Sequence, residues 1–137
     1  MGLILDSSVL IAAERLGQNA RQALIAVASK TDDPDVGIST LTLMELAHGA
    51  ARANTPLRKA TRLKLIEELL SAVPIYAVTS AVALRAGTID GERRAVGVCI
   101  PVPDLLIGVT ALDLGYGVGT TNPRHFALIP GLTVTAL

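Results

Sequence analysis

Tryptophan is absent from this 137-residue chain, and only Tyr76, Tyr116 and Phe126 are aromatic. That scarcity argues against a sheet surface on which bases stack. A lone cysteine, Cys99, excludes an internal disulfide and with it a disulfide-stapled secreted fold. With only His48 and His125 beside it, a thiolate or imidazole zinc site has too few ligands. Net charge is also missing: twelve acidic and twelve basic side chains cancel. The chain as a whole therefore has no pull toward nucleic acid, and any such contact must come from a local patch. Long apolar runs are lacking too. The longest uncharged stretch, "LLSAVPIYAVTSAVAL", has 16 residues and contains Pro74, whereas a spanning helix needs about 20 apolar residues. The first apolar strand meets a charge at Asp6, so neither a signal peptide nor a membrane span is expected, and the cytosol is the expected compartment.

Half of the residues are apolar and 18% are charged, the balance of a globular chain able to bury roughly two-thirds of its unfolded surface. Short apolar segments at 2–5, 36–39, 75–79, 116–121 and 132–137 read as strands. Helical patterns fill 7–17, 20–29, 40–53, 56–73, 80–97 and 104–115, with a "KTDDPD" turn before the second strand. Strands alternating with helices predict one α/β domain over 1–137, a mainly parallel sheet covered on both faces in three α/β/α layers.

In such sheets ligands bind beyond the carboxyl ends of the strands. Asp6 follows the first strand, Glu45 lies about two turns into the helix after the second, and Asp104 opens the helix feeding the strand that ends near Asn122. The three acids, 39 and 59 residues apart, are thus expected on one rim. Each also has an ordinary explanation. Asp6 and Asp104 precede apolar helices, where Asp is a favoured N-cap. Glu45 shares a helical stripe with Thr42, Gly49 and Arg52, the pattern of a solvated face. Asn122-Pro123 reads as a turn, and His125 beside Phe126 as a rim or core residue. Asp113, nine residues after Asp104, falls on the opposite helix face.

Three carboxylates on one rim repel one another, and a divalent cation removes that conflict. All-oxygen ligation selects Mg²⁺, with Mn²⁺ as its substitute, over zinc or copper. Such an ion keeps waters, one of which can become a nucleophile toward a phosphodiester. The Gly-rich fingerprints of dinucleotide and P-loop sites and the serine-hydrolase elbow are missing.

"LILDSSVLIA", "STLTLMELAHG", "PDLLIGVTALDLG" and "VGTTNPRHFALIPGLTV" resemble, in order, the four blocks of PIN-domain ribonucleases, and most closely those of VapC-type toxins of toxin–antitoxin pairs. Only the middle helices stay unmatched. The resemblance implies a PIN-like fold and a Mg²⁺-dependent endoribonuclease toxin acting on structured RNA. It also implies a homodimer neutralised by a VapB-like antitoxin. By the same likeness Asp6, Glu45 and Asp104 are the catalytic, metal-holding acids. Where many members carry a fourth acid, "TTNPRHF" offers Asn122 and His125. Asn122 can orient a water through its amide but brings no charge, which leaves one or two metals open.

RNA needs cations nearby. Arg52, Arg58, Lys59, Arg62 and Lys64 form a basic stretch, and Arg124 lies in the last block. Arg58, Lys59, Arg62 and Arg124 are the candidate RNA contacts, sequence-blind if they track phosphates. The ordinary reading of such a stretch is a solvated helix face. Two rival functions remain: a PIN-like binding module without activity, working through a protein partner, and a phosphoacceptor receiver domain. The second needs a lysine at a late strand end, but the lysines are Lys30, Lys59 and Lys64.

Overall fold

A computed structural model describes residues 1–32 and 35–137; the "KTDDPD" turn falls partly outside them. The strands are β1 (Leu3–Leu5), β2 (Val36–Ser39), β3 (Ile75–Tyr76), β4 (Gly117–Thr120) and β5 (Val134–Ala136). All neighbouring pairs are parallel, in the order β3-β2-β1-β4-β5. The helices are α1 (Ser7–Arg15), α2 (Ala20–Ala28), α3 (Thr40–Ala51), α4 (Pro56–Ala72), α5 (Ser80–Ala95) and α6 (Val102–Leu114), with a short 3₁₀ turn at Phe126–Leu128.

The period-two alternation of a strand divides the core into two layers. Leu3 and Leu5 of β1 pack with Val9, Leu10, Ala20, Leu46, Leu65 and Leu69, from α1 to α4. Ile4, between them, faces the other way and packs with Val82, Ala86, Leu105, Val109 and Phe126, from α5, α6 and the 3₁₀ turn. These β1 side chains are fully buried, as expected of a central parallel strand with both faces covered. The three-layer parallel α/β fold read from the sequence is the observed one. No helix among the described residues is long and apolar enough to cross a membrane.

Two boundaries bear on function. The reading placed Asp104 at the start of its helix, but α6 begins at Val102, with Pro101 as its N-cap residue. Proline is welcome in a helix's first turn, where its missing N–H would be unpaired anyway, so Pro103 lies inside the helix and Asp104 is its third residue. Gly115, at φ 70°, closes α6 in the left-handed conformation that glycine adopts without strain. The sheet order reverses beside β1, which lies between β2 and β4. Leu5 is paired with Gly119 there, so the carboxyl ends of β1 and β4 finish side by side.

Candidate active site

Asp6 is the first residue beyond β1, and its backbone N–H donates to Gly119 O at 2.9 Å. It occupies the N-cap position of α1 in extended geometry, yet its side chain makes no capping bond. The capping explanation fails here. Instead Asp6 Oδ2 accepts the Ser8 hydroxyl at 2.8 Å and the Thr120 hydroxyl at 3.0 Å. Each hydroxyl also accepts a backbone N–H: Thr121 N donates to Ser8 Oγ at 3.1 Å and Asn122 N to Thr120 Oγ1 at 3.0 Å. Those donors direct both hydroxyl protons toward Asp6. Asp6 is 7% exposed, and its carboxylate is held from two strand ends, with Oδ1 outside this network.

Glu45 reaches the same rim from α3. Thr42, one turn earlier, is fully buried and donates its hydroxyl to Leu5 O at 3.3 Å. This bond fixes α3 against the end of β1, and the i, i+3 spacing puts Glu45 on the same side. The expected solvated stripe is therefore an inward face at these two residues. Burial, then the charges of Asp6 and Asp104, push the Glu45 carboxyl above its ordinary range, with the Ser7 hydroxyl pulling the other way. Glu45 Oε1 is buried without a hydrogen-bond partner. An unpaired buried oxygen is costly, and a cation among these acids would relieve it.

Asp104 arrives from the first turn of α6. Burial raises its carboxyl above the ordinary range, opposed by a hydrogen bond from His125 and reinforced by the charge of Asp6. His125 Nδ1 lies 2.8 Å from Asp104 Oδ2. The sequence reading missed this partnership, and it missed Ser8 and Thr120 as supports of Asp6.

Asp6 and Asp104 thus both act electrostatically on Glu45, and Asp6 acts on Asp104. The donor set is all oxygen, suited to Mg²⁺ or Mn²⁺. Among the described residues no three His, Cys, Asp or Glu side chains close into a metal cage. A cation held by Asp6, Glu45 and Asp104 would be reached in part through its own water shell, which Mg²⁺ gives up reluctantly. Asn122 is exposed two residues beyond β4; its backbone N–H serves Thr120.

The basic stretch divides. Arg62 is not an open cation: its Nε and Nη2 grip Glu14 of α1 at 2.8 and 3.0 Å, and Nη1 donates to Leu46 O of α3 at 3.3 Å. Gly49 makes this possible, because a Cβ there would collide with the Arg62 guanidinium. Arg62 is a stitch between α1, α3 and α4, a correction to its reading as an RNA contact. Arg58 and Lys59 stay exposed in the first turn of α4, and Arg124 is exposed one residue from His125. Arg15, Arg52 and Arg58 line a cleft of about 630 Å³ between α1, α3 and α4, and none of the three acids borders it.

Comparison with known proteins gives the arrangement a family. The PIN domain model matches residues 3–131. The chain is 29% identical over 134 residues to Ribonuclease VapC1 of Rickettsia felis, covering 98% of this chain and 95% of that protein. It is 32% identical over 97 residues to the tRNA(fMet)-specific endonuclease VapC of Salmonella typhimurium, covering 71% of each. Among solved structures, DNA-bound VapBC from Salmonella typhimurium superposes with a TM-score of 0.79 at 25% identity, over 99% of this chain and 98% of that one. VapBC2 from Rickettsia felis, bound to a promoter DNA fragment, has the same fold, with a TM-score of 0.83 at 20% identity over 100% of this chain and 99% of that one. The chain belongs to the PIN-domain family, within its VapC branch of ribonuclease toxins.

Proposed function

We propose that this protein is a Mg²⁺-dependent endoribonuclease that cleaves structured RNA and is neutralised by a VapB-like antitoxin. The observation that carries the reading is the buried Glu45 Oε1, which has no hydrogen-bond partner on a carboxyl that the charges of Asp6 and Asp104 both reach. A Mg²⁺ ion there would activate water and steady charge on the scissile phosphate. The chain's own residues do the rest. Ser8 and Thr120 orient Asp6, His125 orients Asp104, and Thr42 sets the reach of Glu45. The exposed Arg58, Lys59 and Arg124 can hold RNA phosphates without reading bases. The antitoxin partner is supported by the VapBC complexes among the structural neighbours, and the homodimer rests on the family likeness alone. An RNA substrate would place its action in the cytosol.

Production of the chain in bacteria should arrest growth, and a cognate antitoxin or the change Asp6→Asn should restore it. Normal growth with abundant, folded parent protein would contradict the toxin reading and favour a binding module.

A further inference from the structure

Arg15, Arg52 and Arg58 open on one cleft, whose lining also includes Glu14 and Arg62. The two-pronged grip of Arg62 neutralises Glu14, the one acid among those lining residues. The other three arginines are exposed, and none meets a carboxylate in an ion pair among the described residues. The cleft thus gathers three open positive charges in a chain whose total charge is zero.

Helix dipoles explain part of this. A cation at the end of a helix is favourable, and Arg15 ends α1 while Arg52 directly follows α3. Arg58 is different. It sits in the first turn of α4, which contains no acid, and there the dipole disfavours a cation. Helix stability gives no reason for Arg58 to join the other two.

The cleft continues the acid rim. From Asp6, α1 leads to Arg15 over about 13 Å, and from Glu45, α3 leads to Arg52 over about 10 Å. Those offsets match about three or four nucleotides of a stacked strand, at about 3.4 Å each. No aromatic side chain lines the cleft, so it has no platform for bases. The planar guanidinium forks instead match phosphate oxygens.

We propose that the cleft between α1, α3 and α4 holds RNA phosphates about three or four nucleotides from the bond to be cut, through Arg15, Arg52 and Arg58. The inference rests on the nuclease reading given above and deepens it, because it gives the substrate a minimum length on one side of that bond. An acidic protein segment carries the same sign of charge, and Leu57, 76% exposed at the cleft, would suit its apolar side chains. Continuity with the acids favours RNA.

Binding of fluorescein-labelled oligouridylates of increasing length, measured in chelator across salt concentrations, tests this once melting has shown each variant to be folded. Affinity for the parent should rise with length until the strand spans rim and cleft. Combined Arg15→Ala, Arg52→Ala and Arg58→Ala should lose that gain and flatten the log–log salt slope by about 2, each single change by about 0.7. Lysine at the same three positions keeps the charge and should keep the slope. Combined Arg21→Ala, Lys30→Ala and Lys64→Ala removes as much charge elsewhere, Arg21 and Lys64 lining a separate hollow, and should leave the slope as in the parent. Equal slopes in the two alanine triples would overturn the cleft assignment while leaving the nuclease reading standing. If a polyglutamate peptide depends on the three arginines and the RNA does not, the cleft is a protein-docking site and the proposal falls. No RNA binding by the parent removes the nuclease reading and this inference together.

Discussion

Thr120 donates its hydroxyl to Asp6 Oδ2 at 3.0 Å, joining two residues 114 positions apart at the ends of adjacent strands. Thr120 is fully buried and Asp6 nearly so, so the bond is shielded from water. Thr120→Val keeps the shape but removes the donor to Asp6 and the acceptor for Asn122 N. Leaving buried polar groups unpaired costs about 1–3 kcal/mol. Denaturant melts should show that loss, RNA cleavage should fall with it, and Thr120→Ser should retain both. A Thr120→Val protein as stable and active as the parent would remove Thr120 from the site's support.

The Glu45 carboxyl is raised above its ordinary value of 4.5, by burial first and by its acidic neighbours next. The sign follows from proton uptake. Above that value the unfolded chain ionises Glu45 while the folded chain still holds the proton, so the folded state loses stability as pH rises. Below it Glu and Gln are equally uncharged. In metal-free buffer, Glu45→Gln should match the parent at low pH and gain on it from about pH 4.5 upward, levelling off once folded Glu45 has ionised. Paired thermal melts across pH check this; a gap that does not widen with pH would show that Glu45 carries no strained charge.

Arg62, Arg58 and Lys59 are neighbours in sequence with opposite expected responses. Arg62→Ala breaks a two-pronged contact with Glu14 whose side chains are 13% and 18% exposed. It should cost about 1–3 kcal/mol in denaturant melts, below the 3–5 of a fully buried pair. Arg58→Ala and Lys59→Ala sit on an exposed turn and should change stability by less than about 0.5 kcal/mol. If they contact RNA phosphates, each should flatten the salt dependence of RNA binding by about 0.7–0.9 in log–log slope. An unchanged slope would make them ordinary solvated residues.

Local patterning carried the fold. The helices read at 7–17, 20–29 and 56–73 became α1, α2 and α4 with ends moved by one or two residues, because caps and apolar periodicity are local signals. What failed was set by tertiary contact. β3 keeps only Ile75 and Tyr76 of the five residues read as strand, since β2 offers pairing partners for no more. The "TTNPRHF" block hides both the 3₁₀ turn at Phe126–Leu128 and the reach of His125 to Asp104, for no periodicity links positions 21 apart. The positions of Asp6, Glu45 and Asp104 were legible from strand ends and family likeness. That Asp6 is gripped by Ser8 and Thr120, and makes no capping bond with its side chain, depends on β1 lying beside β4, which the sequence does not state.

The central claim is that these carboxylates act through a divalent ion, and RNA cleavage by purified protein in Mg²⁺ or with chelator, for the parent and for Asp6→Asn and Asp104→Asn, tests it most directly. The metal-free variants should fold as stably as the parent or better, because each loses one charge from a crowded rim. Mn²⁺ should raise the parent's melting temperature by mass action and theirs much less. Cleavage should require Mg²⁺ in the parent and fall by orders of magnitude in both variants. Cleavage that persists in chelator, or that runs at parental rates in Asp6→Asn and Asp104→Asn, would contradict the account.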